Sequence, residues 1–186
     1  MKTGLLFGSF NPIHIGHLAV AEYFATQGGM DEVWLVVSPL NPFKNETGLA
    51  PSPDRLAMAK LAAAKNPRLL VSDFEFSLPS PSYTIDTLTA LQAQFPERIF
   101  HLLMGEDLVA GLKDWKKPEE IVKRGNILVY PRNTSTILDT GFKTEPAPKL
   151  DISSTYIRAC IASGFSVRYL LPDEVILFIE EKSLYR

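Results

Sequence analysis

At 186 residues, with 46% hydrophobic and 22% charged side chains, the chain holds enough apolar material for one well-buried domain and is too short for two ordinary ones. A formal net charge of −2 argues against a nucleic-acid partner, and a single cysteine excludes an internal disulfide framework and agrees with a reducing cytoplasm. No apolar run approaches the length of a membrane span, and Met1-Lys2-Thr3-Gly4 leads directly into the first strand with no signal-peptide pattern.

Thr3-Gly4-Leu5-Leu6-Phe7 is short, apolar and bounded by glycine, as a strand buried on both faces of a parallel sheet would be. Leu18 to Ala25 reads as a helix with Leu18, Ala21 and Ala25 on one face, stopped by Gly28-Gly29. Between them lies Gly8-Ser9-Phe10-Asn11-Pro12-Ile13-His14-Ile15-Gly16-His17. Such a turn presents unpaired backbone N–H groups at a helix N-terminus, where they and the helix dipole attract anions. His14 and His17 add side-chain donors there. Two histidines three apart could instead ligate zinc or pack in a core. Zinc would need further ligands, and the chain offers only His101 and Cys160 beside scattered carboxylates. Pro12 and the flanking glycines describe a tight turn rather than a packed helix interior. Phosphate binding fits best, and no protein-held metal is expected.

Further along, residues 32–38 read as a second buried strand, followed by a loop marked by Pro39, Pro42, Pro51 and Pro53 and a helix from Asp54 to Ala64. Leu69 to Val71 makes a short strand, and residues 72–78 alternate polar with apolar as an exposed extended segment would. A helix over 84–94 precedes a strand over 99–104, closed by Gly105-Glu106-Asp107, and residues 127–130 form a fifth strand. Residues 131–148 read as a loop, Leu150-Asp151-Ile152 as the end of a short last strand, and 154–162 and 172–181 as closing helices, with Cys160 a buried helix residue. The βαβα alternation predicts an α/β fold: a doubly wound, Rossmann-like parallel sheet of five or six strands over 1–152 and a small helical C-terminal part over 153–186, together one domain. Ligands of such a sheet gather beyond the carboxyl ends of the strands, where the loops 8–17, 38–44 and 104–107 should converge.

Several chemistries are disfavoured by missing motifs. The first βα turn lacks Gly-x-Gly-x-x-Gly, no glycine is followed by lysine and a hydroxyl residue as a P-loop requires, and there is no Gly-x-Ser-x-Gly elbow. A second constellation, Asp151-Ile152-Ser153-Ser154-Thr155-Tyr156-Ile157-Arg158, is in its plain reading a helix N-cap. Arg158 follows Ser154 by four residues, however, so its guanidinium and the first-turn N–H groups can face one anion, and a bidentate fork suits phosphate.

The decapeptide resembles the nucleotide-binding signature of the nucleotidyltransferase superfamily that contains the adenylyl- and cytidylyltransferases. Paired with Ile-Ser-Ser-Thr-x-Ile-Arg, it is similar to the bacterial nicotinate-mononucleotide adenylyltransferases. The resemblance runs through Pro39 to Lys44, Ser82 to Leu88, Met104 to Leu108 with Trp115, and the ending Leu184-Tyr185-Arg186. It implies transfer of the adenylyl group of ATP to nicotinate mononucleotide in NAD biosynthesis, with Mg²⁺ carried on ATP and a cytoplasmic location.

The resemblance also implies residue roles. His14, His17, Lys44 and Arg158 would be catalytic, with Gly8, Ser9, Phe10, Gly105, Asp107, Ile152, Ser153 and Ser154 completing the ATP site. Lys44 would take the mononucleotide's phosphate, Trp115 would stack on the pyridine ring and Thr84 would meet its carboxylate. Asp107 would hold a ribose hydroxyl pair, and Asp86 and Tyr83 would be supports. Phe43 departs from the histidine that many members carry, which removes a direct phosphate role from that position. Other readings are an adenylyltransferase for nicotinamide mononucleotide or phosphopantetheine, or a nucleotide-sensing module without turnover. Homo-oligomerisation stays open.

Overall fold

A computed structural model describes residues 1–40, 48–132 and 141–186. Six parallel strands, β1 (Lys2–Gly8), β2 (Glu32–Val37), β3 (Leu69–Ser72), β4 (Ile99–Gly105), β5 (Leu128–Tyr130) and β6 (Lys143–Thr144), form one sheet in the order β3-β2-β1-β4-β5-β6. The chain winds outward from β1 through β2 to β3, then crosses back to place β4 on the other side of β1. The order therefore reverses between β1 and β4, which opens a crevice beyond their carboxyl ends.

Alternation along the strands sends successive side chains to opposite faces, so each face receives its own helical layer. Leu6, Val33, Leu35 and Val37 face a core shared with α1 (Ile15–Thr26), α2 (Ser52–Ala63), α6 (Ser154–Ala162) and α7 (Asp173–Glu181), where Phe24, Met58, Ile157 and Val175 are buried. Leu5, Val36, Phe100 and Leu102 face α3 (Thr84–Gln94) and α5 (Pro118–Arg124), which contribute Leu88, Leu91 and Ile121. A short α4 (Glu106–Val109) follows β4 directly. Cys160 is buried on α6.

Four differences from the sequence reading have physical causes. Helix α1 starts at Ile15, earlier than the apolar periodicity suggests, so His14 is its N-cap and His17 lies in its first turn. Residues 74–77 form a 3₁₀ turn rather than an extended segment. Ser72 Oγ accepts from the Phe74 N–H at 3.2 Å, and Glu75 points inward to accept from Thr87 Oγ1 at 2.7 Å. Residues 150–152 form no strand; the last strand is β6, within the stretch read as loop. Its ladder ends with the Glu145 N–H on the Val129 carbonyl, since Pro146 and Pro148 have no N–H to continue it. Helix α5 had no counterpart in the sequence reading; Pro118 opens it as a first-turn proline.

Candidate active site

The signature turn is tightly wired. His14 is 2% exposed and its ring stacks on that of His17, with centroids 3.7 Å apart. The His14 backbone N–H donates to His17 Nδ1 at 3.2 Å, which sets the orientation of the second ring from the first residue's backbone. Gly16 fits closely here: a Cβ at that position would lie 3.0 Å from His14 Nδ1 and press on the ring. Burial, and secondarily the charge of Arg132, lowers the His14 pKa to about 4, so the ring is neutral at pH 7 and has a single N–H to give. Ser9 Oγ and His14 Nδ1 are buried without a hydrogen-bond partner among the described residues.

Phe10 is packed inside the signature turn. It is 2% exposed, with φ of 45°, and its ring meets that of His17 edge-on at 5.1 Å. A Cβ at Gly8 would strike that ring at 2.8 Å. Gly8 therefore makes room for Phe10, and Phe10 props His17. A bulky residue in the left-handed region is strained, and such strain is held where the surroundings over-determine the backbone.

The second motif docks on the first. Ser153 is the N-cap of α6, its Oγ accepting from the Tyr156 N–H at 3.1 Å, so the plain reading of that serine is realised. Ser154 Oγ donates to the Pro12 carbonyl at 2.9 Å, and Arg158 donates through one NH group to the Asn11 carbonyl at 2.9 Å. Ile152 packs against the first core and lies beside Gly16. Residues more than 140 apart in sequence thereby become one wall.

Arg55 is the residue that sequence reasoning missed most completely. It is fully buried, and its guanidinium places all five N–H bonds on neutral acceptors: the carbonyls of Ala50, Ser9, Ser38 and Pro39, and Ser52 Oγ. These groups lie at the ends of β1 and β2 and at the start of α2. Burial lowers its pKa from the ordinary arginine value. Asn11 is a second unforeseen junction. Its Nδ2 donates to the Gly48 carbonyl at 2.9 Å, and its Oδ1 accepts from the Ala50 N–H at 3.0 Å and from the Tyr185 hydroxyl at 2.8 Å.

On the β4 side, Asp107 sits over Gly105, whose missing Cβ makes room for the Asp107 carboxylate and the Arg132 stem. Arg132 Nε is 3.6 Å from Asp107 Oδ1, bringing a cation from the end of β5 to the crevice. Its position just past a strand's carboxyl end was the signal available in the sequence, the same one that pointed to Gly105 and Asp107. Thr84 opens α3 and is partly exposed; Trp115 is partly buried against the second core. Lys116 joins their elements, with Nζ 2.7 Å from Asp86 Oδ2 and 4.7 Å from the centre of the Tyr83 ring. Asp86 and Tyr83 are thus tied together by the residue after Trp115. Lys44 and Phe43 lie outside the described residues.

The crevice at the switch point brings together a helix N-terminus, two histidines and an arginine, and the chain belongs to the cytidylyltransferase-like family, whose model matches residues 5–160. Two relatives narrow this further. A protein of Bacteroides fragilis named "Probable nicotinate-nucleotide adenylyltransferase" is 48% identical over 94% of this chain and 89% of its own. One of the same name from Cytophaga hutchinsonii is 44% identical over 100% of this chain and 98% of its own. The fold matches that of Plasmodium falciparum nicotinic acid mononucleotide adenylyltransferase complexed with NaAD, with a TM-score of 0.84 at 20% identity, covering 99% of this chain and 97% of that one.

Proposed function

We propose that this chain is a nicotinate-nucleotide adenylyltransferase, transferring the adenylyl group of ATP to nicotinate mononucleotide to give deamido-NAD and pyrophosphate. The observation that carries the reading is the docking of Ser154 and Arg158 onto the carbonyls of Pro12 and Asn11, which makes one anion-facing surface of the two motifs. The relatives at 44–48% identity support the choice of substrates.

A phosphate oxygen of the mononucleotide attacks the α-phosphorus of ATP, and the bond to the bridging oxygen breaks, the pair leaving on pyrophosphate. With a second pKa near ~6 the attacking phosphate is largely dianionic at pH 7, so no side chain has to remove a proton. The protein's task is to position the reactants and stabilise charge. His17 and His14 give hydrogen bonds to the triphosphate near the α-phosphorus. Arg158 and the first-turn amides at Ser153 and Ser154 receive the leaving pyrophosphate, and Lys44 holds the attacking phosphate. Asp107 takes ribose hydroxyls, with Arg132 beside it. Thr84 and Trp115 receive the pyridine end.

Among the described residues no three His, Cys, Asp or Glu side chains gather as metal ligands. Mg²⁺ would be held by the triphosphate and water, where it would offset phosphate charge. The single cysteine and the use of ATP support a cytoplasmic reaction, and no helix among the described residues is long and apolar enough to cross a membrane.

The test is pyrophosphate release with ATP, Mg²⁺ and each candidate acceptor. Nicotinate and nicotinamide mononucleotides are nearly isosteric, so donors facing the ring substituent must discriminate. A carboxylate only accepts, whereas an amide also donates. The mismatch is worth about 1–3 kcal/mol, a preference of roughly 5- to 150-fold in kcat/KM for the nicotinate form. Equal efficiencies would show a dual-specificity pocket, and no release with any acceptor would leave a nucleotide-sensing module.

A further inference from the structure

The last turn of the chain does more than end it. Helix α7 closes with Ser183 in the left-handed region at φ 52°, its N–H on the Glu180 carbonyl and the Leu184 N–H on the Ile179 carbonyl at 3.0 Å. This is a Schellman closure made without glycine, and it turns the tail back on the helix. Tyr185 is also left-handed, at φ 64°. Two non-glycine residues in this region within three positions mark a tail held by its surroundings rather than by local preference.

What holds it is the signature turn. The Tyr185 hydroxyl donates to Asn11 Oδ1 at 2.8 Å, and the Asn11 carbonyl is the acceptor for Arg158. Burial raises the Tyr185 pKa, while the nearby charges of Arg158 and Arg55 oppose the rise. The phenol therefore stays protonated at pH 7 and can donate to Asn11.

We infer that Tyr185 is a positioning residue for the ATP half of the site, clamping Asn11 so that its carbonyl holds the Arg158 guanidinium towards the triphosphate. This rests on the adenylyltransferase reading above. Asn11 has separate bonds to Gly48 and Ala50 that do not involve Tyr185, so the loop leading to the mononucleotide side keeps its anchor when the hydroxyl is removed. The effect should thus fall on one substrate.

The experiment is Tyr185→Phe, which keeps the ring and removes only the hydroxyl. Steady-state kinetics would be measured with ATP and nicotinate mononucleotide each varied at saturating partner, alongside calorimetric titration with a magnesium-bound methylene analogue of ATP and a thermal melt. Loss of one neutral hydrogen bond predicts kcat/KM for ATP and analogue affinity lower by about 3- to 10-fold, with the mononucleotide KM within twofold. Values for ATP within twofold of wild type would overturn the inference, as would equal losses for both substrates accompanied by a lowered melting temperature. Wild-type protein with no turnover would overturn the functional reading, and this inference with it; an active wild type with an unaffected variant would overturn only the inference.

Discussion

The two halves of the site are built differently. On the half we propose for the phosphates, Ser9, Asn11, His14 and Arg55 are each less than one-tenth exposed, and their hydrogen bonds join residues just past β1 and β2 with α2, α6 and the tail. On the half we propose for the pyridine ring, Thr84 and Trp115 are partly open, and the link between their elements is a Lys116–Asp86 pair with both partners more than 40% exposed. A triphosphate carries the same charges in every reaction it enters, so donors aimed at it gain from being preorganised. A ring and its substituent are recognised by area and a few polar contacts, which leaves room for adjustment. The contrast predicts larger effects from the first half than from the second.

The largest effect should come from His17→Ala, a reduction in kcat of about 10²- to 10³-fold, as removal of one preorganised donor usually costs. Its partly exposed ring leaves fold stability within about 1 kcal/mol by urea denaturation. Near-normal turnover would remove His17 from the phosphate site. Arg55→Ala should be the main structural lesion. It leaves three or more buried carbonyls without donors and a void beside α2, for a stability loss of about 3 kcal/mol or more in the same denaturation assay. A loss below 1 kcal/mol would show that the strand ends hold their places without it.

The third effect depends on pH. His14 has a pKa of about 4 in the folded protein against 6.5 ordinarily, so on acidification the unfolded chain takes up the proton first. The stabilisation is complete above pH 6.5 and is lost as pH falls towards 4, about 3 kcal/mol in all. Comparing wild type with His14→Gln in urea at pH 7 and pH 4.5 isolates that share. If both lose the same stability, the ring is not the buried neutral group described. The smallest effect belongs to the pyridine half: Asp86→Ala should cost less than about 1 kcal/mol, being one partner of an exposed ion pair. It should raise the mononucleotide KM by less than about threefold. A tenfold rise would make Asp86 a substrate contact rather than a support.

What the sequence determined alone is what near neighbours determine. Strand and helix alternation is legible because burial imposes periods of 2 and 3.6 residues, and the two motifs stand out because each gathers donors in a single helix turn. The same local reading explains the misses. Residues 72–78 alternate like a strand, but Glu75 turns inward to Thr87 on α3, and only the packed helix supplies that partner. The last strand was misplaced because β6 has just two residues, too few for a pattern. Lys44, read from the resemblance, lies outside the described residues. Arg55 has nothing in its local sequence to separate it from a surface arginine, and Tyr185 lies 174 residues from the side chain it holds. Tertiary structure decided these roles: a buried donor's function is set by the acceptors that folding brings to it, and those come from distant parts of the chain.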